Sequence, residues 1–182
     1  RSFQEAFLKA WASLEYGKPH PRPLMMADTS EGEGMGDRAS EILPDEILEE
    51  WLRIATDRRM GALYEAFRRG WSVDRVEDIT SITRWFLHKF QKMAMVDAEV
   101  VNTGKRIDNA SEITSSMMRR WKSNGLTDAH IADALSGYPA SGWRINQGGK
   151  SEFDVVRRRH ELEIHPVYRM VDSCAAEFAA VT

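Results

Sequence analysis

The five histidines are the side chains of this sequence that could most readily form a metal or acid–base site. No two of them stand four residues apart, the spacing that places two metal ligands on one face of a helix. His160 and His165 straddle the predicted end of a helix and can meet in space, but two histidines alone do not predict a metal site. The set is His20, His88, His130, His160 and His165.

A glycine-rich run at residues 32–36 (Gly-Glu-Gly-Met-Gly) is the only stretch that suggests a phosphate loop. Neither Gly-x-x-x-x-Gly-Lys-Ser/Thr nor a Gly-x-Gly-x-x-Gly following a strand occurs in the chain. The neighbouring Glu31, Glu33 and Asp37 would repel a phosphate group. We therefore predict a surface loop here and no cofactor-binding residue.

Nucleophilic or paired-carboxylate chemistry is not predicted either. Cys174 has no histidine or asparagine partner that the sequence can show, so a packing role is favoured. The acidic pairs Glu49-Glu50 and Glu161/Glu163 lie on predicted helices, where such close neighbours point in different directions. Together with the histidines, these observations predict no catalytic, cofactor-binding or metal-ligating residue.

The basic run Arg157-Arg158-Arg159 is the one cluster that could bind an anion. On a helix it covers more than half the circumference, so the three guanidinium groups cannot face one ligand. Acidic residues stand on both sides of it, which favours ion pairing or a contact between domains over nucleic-acid binding.

The composition is that of an ordinary globular protein, with 42% apolar and 29% charged residues among 182. A net charge of −3 provides no field that would draw the chain to nucleic acid or an anionic membrane. One cysteine, no apolar run long enough for a membrane span and no signal peptide predict a cytoplasmic protein. The first residue is Arg1 rather than Met, so we expect a fragment of a longer polypeptide.

The apolar periodicity predicts an all-α fold of about seven to eight helices, either as one core or as two small lobes. Expected N-caps are Ser2, Ser72, Thr80 or Ser81, Thr127 and Ser151. The helices are predicted at residues 3–16, from 44, from 59, from 73, at 82–100, around 113–121, at 128–135 and from 152 to 162. Residues 102–109 are predicted as a turn.

Two long loops and an extended end complete the predicted organisation. Residues 18–38 and 137–150 are rich in glycine, proline or polar residues, which is typical of loops. Pro166 stops the last helix, and Val167, Arg169 and Val171 alternate with larger residues as in an extended segment. We expect a helical domain at 1–163 and a linker into a following domain at 164–182.

The aromatic and methionine content exceeds what one core of this size requires, with six Trp and nine Met. Large aromatic side chains left at a surface tend to mark interfaces. The helix at 82–100 has the widest apolar stripe, so we expect its exposed part to form an assembly surface. Trp85 itself is expected to belong to the core.

A family resemblance is carried by both ends of the chain. Residues 165–178 read His-Pro-Val-Tyr-Arg-Met-Val-Asp-Ser-Cys-Ala-Ala-Glu-Phe. This resembles the segment that opens the second half of the carbamoyl-phosphate synthase large chain, with Ser173 in place of the usual threonine. Residues 1–10 are similar to the helix that follows the first ATP-grasp unit of that family.

Two internal stretches agree with this resemblance. Residues 70–87 are similar to the Gly-x-Ser-Val turn and Trp-Phe-Leu helix of the central connecting domain, with Thr83 where the family usually has aspartate. Residues 122–132 match its Lys-x-x-Gly-aromatic-Ser-Asp element, with Leu126 in place of the aromatic residue.

The resemblance implies a non-catalytic oligomerisation and connecting domain, inactive alone. The complete enzyme of the family is a ligase that makes carbamoyl phosphate from bicarbonate, ATP and glutamine-derived ammonia, for arginine and pyrimidine synthesis. Its implied partners are further copies of the chain, the two flanking ATP-grasp halves and a glutaminase small subunit, without nucleic acid or membrane. ATP and Mg²⁺ or Mn²⁺ are expected in the full-length enzyme and no cofactor in this fragment.

A helix-turn-helix nucleic-acid module is the alternative. Residues 126–137 are similar to the first helix and turn of such units, and Arg144 or Lys150 would then face phosphates. The net negative charge and the absence of a basic second helix soon after Gly137 count against this interpretation.

Overall fold

The protein, seen in a computed structural model, is helical in every regular element of the part that the structure describes. Residues 2–14, 20–25, 28–29, 41–138 and 149–166 are described. Their helices are α1 Phe3–Ala12, α2 Asp45–Arg53, α3 Arg58–Arg68, α4 Val73–Thr80, α5 Arg84–Gly104, α6 Ser115–Ser123, α7 Asp128–Leu135 and α8 Glu152–Glu161. A short 3₁₀ helix, Ala110–Glu112, precedes α6. The all-α prediction and the predicted number of helices are confirmed.

Side-chain caps begin four of these helices where the sequence predicts them. The hydroxyl oxygens of Ser2, Ser72 and Thr127 accept hydrogen bonds from the backbone N–H three residues later. Ser151 and Asp154 form a reciprocal capping box at the start of α8. These bonds satisfy N–H groups that have no partner within the helix, which is why Ser and Thr at these positions are reliable start signals.

The predicted start of the longest helix was wrong by a few residues. Thr80 is the last residue of α4, and its hydroxyl donates a hydrogen bond to the carbonyl of Val76. Ser81 is the C-cap of α4 and has a left-handed backbone with φ +55°. Thr83 is the N-cap of α5. The two hydroxyl residues therefore end one helix instead of starting the next.

Other boundaries differ in the same modest way. α1 ends at Ala12, not at Tyr16, and α5 continues to Gly104 into the predicted turn at 102–109. Pro44 is the N-cap of α2 rather than its first residue. Ile54 follows the helix as its C-cap and is 52% exposed.

α5 is the centre of the domain. It packs against α3, α7, α4 and α1, and α2 and α8 complete the arrangement by packing on α3 and α7. The buried apolar residues of the described chain form one cluster. A Cβ on Gly104 would lie 2.0 Å from the carbonyl oxygen of Leu135, so α5 and α7 come together as closely as backbone allows.

The two long loops are only partly described. At the first, Met25 and Ile42 form an isolated antiparallel bridge, and Leu43 N donates to Leu24 O at 3.1 Å. At the second, Lys150 Nζ donates to the carbonyl of Gly104 at 2.7 Å. Of the C-terminal segment, Ile164 is buried, and the predicted extended stretch from Val167 onward lies outside the described residues.

Candidate assembly surface

α1 carries a stripe of aromatic side chains along one face. Phe3, Phe7 and Trp11 follow one another at four-residue intervals, which places them in line on a helix. The rings of Phe3 and Phe7 stack with centroids 5.9 Å apart, and Phe7 and Trp11 are separated by the same 5.9 Å. All three side chains are partly buried.

The beginning of α5 supplies the other half of an aromatic cluster. The ring of Phe3 makes edge contacts with Trp85, Phe86 and Phe90, each at a centroid distance of 5.8 Å. Phe7 meets Phe90 at 4.8 Å. Edge-to-face packing of this kind stabilises aromatic pairs beyond the area that they bury.

The outer side of this cluster is open to solvent. Phe90 is buried at its base, but Trp85 is 53% and Phe86 is 44% exposed. The expectation that Trp85 belongs to the core is therefore wrong, because Trp85 lies in the first turn of α5 with half of its side chain open to solvent. The aromatic surface, as used below, consists of Phe3, Phe7, Trp11, Trp85 and Phe86.

Positive charges border the aromatic surface. Lys89 Nζ lies 4.8 Å from the centre of the Trp85 ring, a cation–π contact. Arg84 binds Asp74 and Glu77, each at 2.6 Å, and these hydrogen bonds raise the pKa of its guanidinium above the ordinary value. Arg84 thereby links the first turn of α5 to α4 through exposed ion pairs.

Other large apolar side chains are exposed as well. These are Leu14, Ile42, Ile54, Met60, Met95 and Phe153. Single exposed apolar residues are normal on protein surfaces, whereas two adjacent exposed aromatic residues in contact with a third are unusual. The aromatic surface is therefore the candidate site.

A second feature, which the spacing of the sequence did not reveal, is a buried pair of histidines. The rings of His20 and His130 stack with centroids 4.4 Å apart and an interplanar angle of 7°. His20 is 2% and His130 is 1% exposed. They are 110 positions apart, so only the fold brings them together.

Each ring faces a carboxylate. His130 Nε2 lies 3.1 Å from Asp97 Oδ1 and 3.0 Å from the Tyr138 hydroxyl, which itself donates to Asp97. His20 Nε2 lies 3.1 Å from Asp133 Oδ2, although not in line for a hydrogen bond.

Burial and neighbouring charges together set the pKa values of this cluster. Burial lowers the pKa of His20 below the ordinary value, although Asp133 favours the charged ring. Burial alone would raise the pKa of Asp133, but His20 and the charge of Arg22 outweigh it and lower that pKa. The pKa of Tyr138 is raised well above its usual value, mainly by burial and by the charge of Asp97.

The remaining three histidines lie at the surface of the domain. His88 is exposed and contacts Gln91 at 3.4 Å, whereas the rings of His160 and His165 meet at 6.0 Å on the surface. Among the described residues, no group of three or more metal-ligating side chains comes together. The prediction of no metal ligand remains a prediction for the whole chain.

The three consecutive arginines are engaged in contacts within the domain. Arg157 binds Asp154 at 2.9 Å, and Arg158 binds Glu161 at 3.0 Å. Arg159 binds Asp128 of α7 at 3.1 Å. The expectation of ion pairing is confirmed.

The remaining predicted positions divide into two groups. On α2, the carboxylate of Glu49 is bound by Arg53 and Arg75 and forms no pair with Glu50. Cys174, Arg144 and the glycines of residues 32–36 lie outside the described residues.

The chain was compared with known protein families. Residues 1–163 match the family described as the carbamoyl-phosphate synthetase large chain, oligomerisation domain. The chain belongs to this family. It is therefore a connecting and oligomerisation domain of the synthase large chain rather than a catalytic one, and the resemblance seen in the sequence is confirmed.

Individual relatives agree. The chain is 32% identical to a carbamoyl phosphate synthase large chain of Myxococcus xanthus over 183 residues, covering 100% of this chain and 14% of that protein. It is 30% identical over 189 residues to an N-terminal section of the large chain from Methanopyrus kandleri, covering 100% of this chain and 29% of that protein. The arginine-specific mitochondrial large chain of Schizosaccharomyces pombe is 36% identical over 141 residues, covering 77% of this chain and 11% of that protein.

This oligomerisation domain spans about one seventh of the length of the synthase large chain from Myxococcus xanthus. In the described part, no helix is both long and apolar enough to cross a membrane.

Proposed function

We propose that this domain holds copies of a synthase large chain together through the aromatic surface of α1 and α5. The observation that carries the proposal is the exposure of Trp85 and Phe86 beside Phe3. Aromatic residues are enriched at the buried centres of protein interfaces, where they combine large area with little side-chain entropy to lose. A second copy that covered them would remove this apolar area from water.

The shape of the surface suits a helix-on-helix contact. Phe3, Phe7 and Trp11 form a ridge along α1, and Trp85 and Phe86 rise beside it from α5. Ridges spaced by four residues pack into the grooves of a facing helix. Lys89 stands at the border, so its charge can remain in water when the rings are covered.

The enzyme containing this domain is proposed to be a carbamoyl-phosphate synthase, as the names of its relatives suggest. The domain would connect two ATP-grasp halves that use bicarbonate, ATP and ammonia from a glutaminase subunit, with Mg²⁺ or Mn²⁺ bound in those halves. The product would supply arginine and pyrimidine synthesis in the cytoplasm. The isolated chain is expected to have no synthase activity.

The proposed division places the helical domain at residues 1–163 and the link to the following half at 164–182. Ile164 is buried, and its carbonyl accepts a hydrogen bond from Arg159 at 3.1 Å. The first residue of the proposed link is thus held by α8, which would give the connection a defined direction where it leaves the helices.

The helix-turn-helix alternative has no support from the comparisons or from the described surface. His130 of the similar segment is buried, Lys150 is bonded to the backbone of Gly104, and the arginines of α8 are paired. No binding to duplex DNA at low salt is expected, because no free basic face is presented among these residues.

Light scattering coupled to size exclusion tests the proposal on the 182-residue chain. Over a hundredfold range of concentration, the mean mass should rise from that of one chain toward that of a dimer or larger species. A mass equal to one chain at every concentration would contradict self-association through a surface of this domain.

A further inference from the structure

The buried histidine stack closes one end of the first loop onto the helical core. His20 belongs to the segment 20–25, and its ring lies flat against His130 of α7. Arg22 of the same segment binds Asp133 of α7. Leu24 lies beside Gly61 of α3, next to Trp11.

The charges around the stack balance when both imidazole rings are neutral. Asp97, Asp133 and Glu65 are the acidic groups that face the cluster, and Arg22, Arg68 and Arg69 are the basic ones. Arg68 Nη1 lies 3.7 Å from Asp97 Oδ2, and Arg69 Nε lies 2.8 Å from Glu65 Oε1.

The hydroxyl of Tyr138 contributes no charge but donates to Asp97, and Tyr64 of α3 is buried close to the same carboxylate. Each of the three carboxylates around the stack thus has an arginine partner while the rings are neutral, although Oδ2 of Asp97 accepts no hydrogen bond within the described residues.

We propose that the His20–His130 stack is a pH-sensitive latch, which holds the segment 20–25 against α7 at neutral pH and releases it when His20 is protonated. A protonated His20 ring would be buried 4.4 Å from the ring of His130, and a buried charge is costly unless it is both paired and hydrogen-bonded. Asp133, the carboxylate that faces His20, already binds Arg22 and is not in line for a hydrogen bond to the ring. Release exposes His20 and its charge to water, which removes the penalty.

The other contacts of the segment permit local opening. Its backbone is joined to the core through the Leu24–Leu43 hydrogen bond and the Met25–Ile42 bridge. His20 and His130, by contrast, each leave Nδ1 without a hydrogen-bond partner. A proton added at Nδ1 gains no acceptor while the latch is closed, whereas it gains water when the latch opens.

The effect is measured by amide hydrogen exchange of the 182-residue chain, followed by NMR between pH 7.5 and 5. The Leu43 amide, which donates to Leu24, reports on opening, and the Val96 amide in the middle of α5 reports on global unfolding. After correction for intrinsic exchange, the opening constant at Leu43 should begin to rise as the pH falls below the ordinary histidine pKa of 6.5, by up to about tenfold per pH unit for the proton that His20 takes up. Val96 should keep its protection over the range in which Leu43 loses it.

Two variants distinguish the latch from a general acid effect. His20→Phe keeps a flat ring against His130 but removes the proton that His20 binds, so the pH response at Leu43 should fall by about one proton. His88→Gln removes an exposed histidine and should leave the response unchanged. If His20→Phe fails to fold, His20→Gln removes the same titrating group and serves the same comparison.

The proposal is overturned by any of three results. Protection at Leu43 could be independent of pH in the unaltered chain, or it could disappear together with protection at Val96. Alternatively, a His20 variant that folds could show the same pH response as the unaltered chain. Each result would mean that the stack is a passive part of the core.

Discussion

The ring of Trp85 on α5 meets the ring of Phe3 on α1 edge-on, with 5.8 Å between centroids, while 53% of Trp85 remains exposed. One side of the indole thus packs against the domain, and the other is exposed to solvent. A side chain held in this way loses little conformational entropy on association, which favours binding. The same contact makes Phe3 a support for the surface.

Removal of that support should weaken the domain and its assembly together. Phe3→Ala takes away contacts with three rings of α5 and one of α1, and we expect a loss of about 2 kcal/mol in the free energy of unfolding, less than for a fully buried phenylalanine. Urea unfolding monitored by circular dichroism measures the change. Phe153→Ala, at a site 73% exposed, is the matched control and should cost much less. Equal losses for the two variants would show that Phe3 does not anchor α1.

Alanine substitution at two helical glycines should change the stability of the domain in opposite directions. Gly104→Ala places a Cβ 2.0 Å from the Leu135 carbonyl oxygen, so α5 and α7 must separate at a cost of about 3 kcal/mol or more. Gly61→Ala meets only the side chains of Leu24 and Trp11, both at 3.7 Å, and should stabilise α3 by up to about 1 kcal/mol. Thermal unfolding of both variants checks the pair. A stable Gly104→Ala protein would mean that α5 and α7 lie farther apart.

The stability of the domain should pass through a maximum near neutral pH. Because the pKa of His20 is lowered in the folded protein, the unfolded chain binds more protons as the pH falls below the ordinary histidine value of 6.5. The lowered pKa of Asp133 acts in the same direction at more acidic pH, around its ordinary 3.8. The free energy of unfolding should therefore fall as the pH drops from 7 to 4.

Two tyrosines limit stability on the alkaline side. The pKa values of Tyr64 and Tyr138 are raised well above the ordinary 10.0, mainly by burial, so above that pH the unfolded chain loses its phenol protons first. Urea unfolding at pH steps from 4 to 11 measures both limbs. A free energy of unfolding that stayed constant from pH 7 to 4 would show that His20 and Asp133 do not have the surroundings in which the structure places them.

Local signals in the sequence predicted the helices well because their physical causes are local. A Ser or Thr that caps the N–H three residues later, as Ser72 and Thr127 do, needs no information from elsewhere in the chain. The error at Thr80 has the same origin. A hydroxyl residue between two helices can cap the second helix or, as Thr80 does, donate a hydrogen bond to a carbonyl of the first. The sequence pattern is the same in both cases.

The two features that matter most for function could not be predicted from spacing. A Trp-Phe pair on a helix gives the same apolar stripe whether it is covered by its own domain or presented to a partner, so Trp85 was assigned to the core. His20 and His130 come from a loop and a helix 110 positions apart, and no periodicity links them. The one available signal was the place of His130 beside Ile131, on a short helix with few polar positions.

The most direct test of the assembly account compares two charged substitutions on α5 by sedimentation equilibrium of the 182-residue chain. Trp85→Glu puts a carboxylate into the aromatic surface, whereas Met95→Glu puts one at a site of the same helix that is 66% exposed and away from it. With both folds confirmed by circular dichroism, Trp85→Glu should be monomeric at concentrations where the unaltered chain and Met95→Glu associate. Association of Trp85→Glu as strong as that of the unaltered chain would contradict the assignment of this surface.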